Sequence, residues 1–186
     1  MISHIKGMIY EKTPPYIIVD VNGVGYEVSV PMSTYFDLPE IGNQVTLTTH
    51  FMVREDSQQL YGFLTKTEKV IFQKIIKING IGPRLGLAIL SSLTVSEFVD
   101  NIEKGQHEKL VQIPGIGKKT SERIVLELKG KLNTIGIKKT TTNESSDLVN
   151  ALIALGFSDK DANEFSKRSD SNLSLQENIK EALKNL

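Results

Sequence analysis

The chain has 186 residues, with 22 Lys and Arg against 22 Asp and Glu, so its formal charge is zero and only His4, His50 and His107 are left to titrate. That balance excludes a histone-like or polybasic protein that holds nucleic acid by bulk charge. An apolar fraction of 39% excludes a chain too poor in apolar side chains to build a core, and the length suits one large domain or two to three small ones. The absence of cysteine rules out disulfides and thiolate chemistry, as expected of a reducing cytoplasm. Met1 to Gly7 alternate polar and apolar residues instead of forming the apolar run of a signal peptide. No later segment approaches the roughly 18 apolar residues of a membrane span. The expectation is a soluble, cytoplasmic protein with no membrane partner.

Residues 1–64 read as strands. Ile2 to Tyr10 opens the chain, and Tyr16 to Val21 and Val24 to Val30 flank Asn22-Gly23, a dipeptide that favours a tight hairpin turn. Val45 to Val53 alternates Val45, Leu47, Thr49, Phe51 and Val53, and Leu60 to Phe63 returns as its partner across Arg54 to Gln58. Five strands of this size fit a small closed barrel of the OB type, although a plain meander would use the same strands.

Residues 65–133 change to helical grain. Thr65-Lys66-Thr67-Glu68 and Thr94-Val95-Ser96-Glu97 are capping boxes, and Val70, Ile71, Ile75 and Ile78 recur at helical spacing. Residues 134–146 contain too little apolar content to pack and read as a flexible linker. From 147 to 186 helical patterning resumes. Leu148, Leu152 and Leu155 share a face, Gly156 stops that helix, Ser158 caps a second, and Ser174-Leu175-Gln176-Glu177 is a capping box for a third. Such a three-helix unit lies near the lower size limit for independent folding.

The strongest signal is an internal repeat. Ile78-Asn79-Gly80-Ile81-Gly82-Pro83-Arg84 returns 35 residues later as Ile113-Pro114-Gly115-Ile116-Gly117-Lys118-Lys119, each copy between two helical stretches. This is the pattern of a helix-hairpin-helix. The glycines permit a tight turn and close backbone approach, and Ile81 and Ile116 anchor the hairpin. The free N–H groups that open the next helix form an anion site suited to phosphate. Pro83 fits the first helical position, and Arg84, Lys118, Lys119 and Arg123 add cations. A single Gly-x-Gly could be a plain connector in a helical bundle; two copies followed by cations favour phosphate binding. A dinucleotide fingerprint fails because neither copy follows a strand in a βαβ unit. An NTPase loop fails as well, because Gln112 and Lys119 stand where that loop needs Gly and Ser or Thr.

Charge is segregated in the same way. Residues 1–64 carry three cations against seven anions, net −4; residues 65–133 carry twelve against seven, net +5; residues 134–186 carry seven against eight, net −1. The cationic segment is the one with the repeat, which points to contacts with phosphates rather than base edges. Glu55-Asp56 lies at a hairpin tip in the acidic segment. By themselves these residues are a solvated turn, or else a repulsive element that pushes phosphates away within a Debye length of about 8 Å.

Val24 to Val28, Val53 to Asp56, Leu60 to Phe63, Asn79 to Pro83 and Leu110 to Thr120 together make the chain resemble the RuvA family, the Holliday-junction recognition subunit of the bacterial branch-migration complex, from Met1 to Leu186. The resemblance implies an α+β multi-domain protein. Its parts are an OB-fold barrel over 1–64, a domain with two helix-hairpin-helix motifs over 65–133, a linker over 134–146, and a C-terminal three-helix, UBA-like domain over 147–186. It implies a homotetramer, single or paired face to face, that holds a four-way junction open and square during recombination and repair as part of the SOS response. Asn79, Gly80, Ile81, Gly82, Arg84, Gly115, Ile116, Gly117, Lys118, Lys119 and Arg123 would bind DNA, with Glu55 and Asp56 as an acidic pin at the crossover. Leu152, Leu155, Phe157 and Leu183 would receive the hexameric ATPase motor RuvB, and the resolvase RuvC would join a larger complex. On this reading the chain has no catalytic residue, metal or cofactor of its own. Gly86 and Ser121 stand where the hairpin motif often has Ala.

Two other classes compete. A helix-hairpin-helix DNA glycosylase would use Asp100, 18 positions after Gly82, but such enzymes need a base-flipping pocket and usually an aromatic wedge, and the chain has no tryptophan. A pure protein-interaction scaffold leaves the duplicated phosphate sites unexplained.

Overall fold

The computed structural model describes residues 1–132, 144–168 and 175–184. The first elements are β1 (His4–Thr13), β2 (Tyr16–Val21), β3 (Val24–Ser29), a short helix α1 (Met32–Asp37), β4 (Gln44–Val53) and β5 (Gln58–Phe63). The five strands close on one another in the order β1-β2-β3-β5-β4, so the meander is excluded and the barrel stands. Closure depends on one parallel pairing, Val28 with Leu60 and Ser29 with Tyr61, between strands far apart in sequence. Alternate residues face inward, as β-strand periodicity requires: Ile5 and Ile9, Ile17 and Val19, Val28 and Val30, and Val45 and Leu47 are all buried. Asn22 and Gly23, with φ of 54° and 86°, make the expected two-residue turn, and Asp20 Oδ1 accepts the Gly23 N–H at 2.7 Å.

Several boundaries move. The first strand starts two residues later than expected and runs on to Thr13, with a bulge between Ile9 and Glu11. The fifth begins at Gln58, two residues before Leu60. Helix α1 was not anticipated; at six residues it is too short to show a period. Its support is tertiary: the Met32 N–H donates to Ser91 Oγ at 2.8 Å, and Ser33 Oγ donates to the Leu90 carbonyl at 2.9 Å.

Five helices follow in the same compact unit: α2 (Lys66–Ile75), α3 (Pro83–Ser92), α4 (Val95–Lys104), α5 (Glu108–Val111) and α6 (Lys118–Leu128). Both expected capping boxes form, at Thr65 with Glu68 and at Thr94 with Glu97. The helices pack around Ile71, Phe72, Ile75, Ile89, Phe98, Ile102, Leu110 and Ile124. Tyr61 and Phe63 of the barrel enter this same core, with ring centroids 5.1 and 5.0 Å from that of Phe72. The boundary at residue 64 is thus a change of secondary structure inside one packed body.

The second unit holds α7 (Glu144–Ala154), α8 (Asp159–Arg168) and α9 (Leu175–Lys184) around Leu148, Leu152, Ala162 and Ala182. Its first helix starts at Glu144, so residues 144–146 are helical and not linker; residues 134–143 of that expected linker, and Ser174 of the expected third capping box, lie outside the described residues. Gly156, at φ 100°, ends α7, and the Phe157 N–H reaches back to the Leu152 carbonyl at 3.1 Å, a Schellman closure. Ser158 caps α8, accepting the Asp161 N–H at 3.2 Å and donating to its carboxylate at 2.6 Å.

Candidate nucleic-acid interface

The two copies of the repeat fold alike, bond for bond. In the first, the Ile78 N–H donates to the Ile75 carbonyl at 3.1 Å and the Ile81 N–H to the Ile78 carbonyl at 3.0 Å; in the second, Ile113 donates to Leu110 at 3.1 Å and Ile116 to Ile113 at 3.0 Å. Gly80 and Gly115 take φ of 81° and 90°, the left-handed region where a side chain is strained, and so reverse the chain within one residue. Ile78, Ile81, Ile113 and Ile116 are buried, which pins each turn to the core.

Gly82 and Gly117 then cap α3 and α6 in nearly the same conformation, φ −91° and −85° with ψ 173° and 171°, and neither helix has a side-chain cap. A Cβ added at either glycine would meet nothing within 4 Å. Pro83 has no N–H and the Leu85 N–H donates to the Gly82 carbonyl at 3.1 Å, so α3 keeps the Arg84 N–H open to a ligand, and α6 keeps those of Lys118, Lys119 and Thr120. Arg84, Lys118 and Lys119 stand exposed in these first turns, where an anion is favoured by both the dipole and the cations.

Of the residues expected at this surface, Asn79, Gly80, Gly82, Arg84, Gly115, Gly117, Lys118, Lys119 and Arg123 are exposed. The side chains of Ile81 and Ile116 are 5% and 4% exposed, the anchoring place expected of them, and their N–H groups are bonded inside the hairpins. Gly86 and Ser121 are buried at the feet of the two helices. A Cβ at Gly86 would come within 3.0 Å of the Phe72 ring, and Ser121 Oγ donates to the Lys118 carbonyl at 2.7 Å.

Glu55 and Asp56 are exposed at the tip of the β4–β5 hairpin, whose turn is closed by the Arg54 N–H to the Ser57 carbonyl at 2.8 Å. The inward alternation of β4 runs out before this tip. Thr49 is buried, Phe51 half-buried and Val53 59% exposed, so the paired strands continue past the barrel core as an arm. Asp100 faces solvent, 65% exposed and 3.8 Å from Lys104, whereas a base-excising carboxylate acts from within a pocket.

In the second unit Leu152 is fully buried and Phe157 half-buried against its core. Leu155 does not join Leu148 and Leu152 as expected: it lies just past the end of α7, where the chain turns at Gly156, and is 53% exposed beside Ile153 at 38%. The side chain of Leu183 lies outside the described residues. Among the described residues no single helix is long and apolar enough to cross a membrane.

Three family models match the chain. Residues 1–62 match the RuvA N terminal domain, residues 72–131 the SAM-like helix-hairpin-helix tandem, and residues 143–186 the RuvA C-terminal domain. Proteins named Holliday junction branch migration complex subunit RuvA from Polaromonas sp. and Albidiferax ferrireducens are each 48% identical over 188 residues, covering 100% of this chain and 99% of the relative. The protein of that name from Chromobacterium violaceum is 46% identical over 194 residues, covering 100% and 98%. The chain belongs to the RuvA family. The tandem that defines the central part of the match contains both open helix starts, and the RuvA N-terminal match contains the whole acidic arm.

Proposed function

We propose that this chain binds four-way junction DNA as a non-catalytic scaffold, holding the junction open while a RuvB-class ATPase drives branch migration in recombination and repair. The observation that carries the reading is the duplicated, uncapped and exposed helix start, with Arg84, Lys118 and Lys119 at its mouth. Two such sites in one subunit match two backbone phosphates of a duplex arm and take no account of base sequence. The names of the relatives supply the substrate class.

Four subunits around the junction, one per arm, would bring the Glu55-Asp56 arms together at the crossover. Carboxylates there repel phosphates that stray inward, so the acidic arms select an open, square geometry instead of adding affinity. The last three helices would recruit the motor through Leu152, Leu155, Phe157 and Leu183. A junction resolvase of the RuvC class would share the same scaffold in the cytoplasm.

A gel shift with a four-way junction and a linear duplex of equal length tests the reading. The junction is expected to bind more tightly, and with two phosphates neutralised per subunit of a tetramer the log–log salt slope should be about −7. Equal affinity for both DNAs at moderate salt would defeat it. Glu55→Gln with Asp56→Asn should raise duplex affinity and narrow the preference for the junction; a marked loss of binding would remove the arm from this role.

A further inference from the structure

The two hairpins brace each other, and the bracing is unequal. Arg123, on α6 of the second motif, donates from Nη1 to the carbonyl oxygen of Asn79 in the turn of the first motif, at 2.9 Å. The same nitrogen lies 3.4 Å from where a Cβ on Gly80 would stand. In the other direction, Leu85 on α3 places Cδ1 3.4 Å from where a Cβ on Gly115 would stand. One brace is a charged hydrogen bond and the other an apolar contact.

The repeat register separates Arg123 from the other cations. Arg84 and Lys119 occupy equivalent positions, 35 residues apart, but the equivalent of Arg123 is Ala88. A side chain needed by each hairpin to hold its own phosphate would stand in both copies, and this one stands in one. We propose that Arg123 is a positioning residue that locks the first hairpin turn to the second, so that the two phosphate sites act as one bivalent clamp of set spacing. The inference rests on the phosphate-binding reading of those sites. Arginine suits the task because its planar fork can give one N–H to the carbonyl and keep others for a phosphate. A set spacing matters because the second site gains from the first only when both reach the same duplex together.

Hydrogen exchange on the free full-length protein tests the brace without DNA. In Arg123→Lys and Arg123→Gln, exchange at the bonded amides of Ile81, Leu85 and Gly86 should rise about 3- to 10-fold, as expected when a charge-assisted tether is lost. In Lys119→Ala it should stay at the wild-type rate. Binding to the four-way junction tests the clamp: Arg123→Lys keeps the charge, so affinity should fall about 10-fold with the salt slope unchanged. Wild-type exchange in both Arg123 variants, or wild-type junction affinity in Arg123→Lys, overturns the proposal. Wild-type protein that ignores the junction, with exchange still raised in the variants, overturns the phosphate reading and leaves the brace standing.

Discussion

Helices α2 and α4 close their own N-termini, whereas α3 and α6, in the same core, leave theirs open. Thr65 and Thr94 each accept the N–H three residues on, at 3.2 Å, and each takes the returning carboxylate of Glu68 or Glu97 on its own N–H. The Thr94 hydroxyl and N–H together hold the exposed Glu97 carboxyl below its ordinary range. At the hairpins a glycine takes the place of threonine, no carboxylate returns, and lysine or arginine follows. A capped start fills its donors from within and stabilises the fold; an open start forgoes that stability and keeps its donors for a ligand. The same four-residue stretch of helix is thus closed or left open according to the residue at the cap and the one three positions on.

The largest effect should come from converting one kind of start into the other. Gly82→Asp with Gly117→Asp has room for both side chains and a backbone that tolerates them. The new carboxylates should leave the fold equal or slightly more stable, yet lower junction affinity at least about 100-fold, because they fill and charge both sites. Thermal melting and gel shifts read the two signs separately; loss of both together would mean that the glycines serve the turn alone. The reverse change is smaller. Thr65→Ala or Thr94→Ala should cost about 1 kcal/mol in urea unfolding and leave junction affinity at saturating fold unchanged. A binding defect in either variant would blur the division.

The smallest effect concerns how α2 is held. Its Gln73 places Nε2 3.1 Å from His50 Nδ1 on β4, so that ring nitrogen accepts, and the ring lies against Tyr61 and Phe72. Burial, with Lys69 nearby, holds the imidazole below its usual 6.5. The folded state therefore prefers the neutral ring. That contribution is present above pH 6.5 and is lost as pH falls through the lowered folded value. Melting temperature should drop more steeply between pH 7.5 and 5 in the wild type than in His50→Gln, and parallel curves would show that His50 does not couple the barrel to α2.

Much of the candidate site was legible because it is written in short-range chemistry. A capping box spans four residues, and a Gly-Ile-Gly turn with its buried isoleucines spans little more, so both repeats and both boxes appear in the sequence at their observed positions. Leu155 misled because periodicity continues on paper past the residue where the helix ends. Helix α1 left no trace because its stabilising partners, Ser91 and the Leu90 carbonyl, lie 57 and more residues away.

By itself, then, the sequence determined which helices are self-capped and which are open, where the hairpin reverses, and which segment carries the cations, since each depends on groups within a turn or two of one another. Tertiary structure alone decided that the strands close through the parallel β3–β5 pair, that the barrel shares a core with the helices at Tyr61, Phe63 and Phe72, and that Arg123 holds the Asn79 carbonyl. The strand pairing and the arginine bond join residues 32 and 44 positions apart, and the aromatic contacts join two different elements. Whether they form depends on the whole packed body repaying the entropy of loop closure, which no local pattern records.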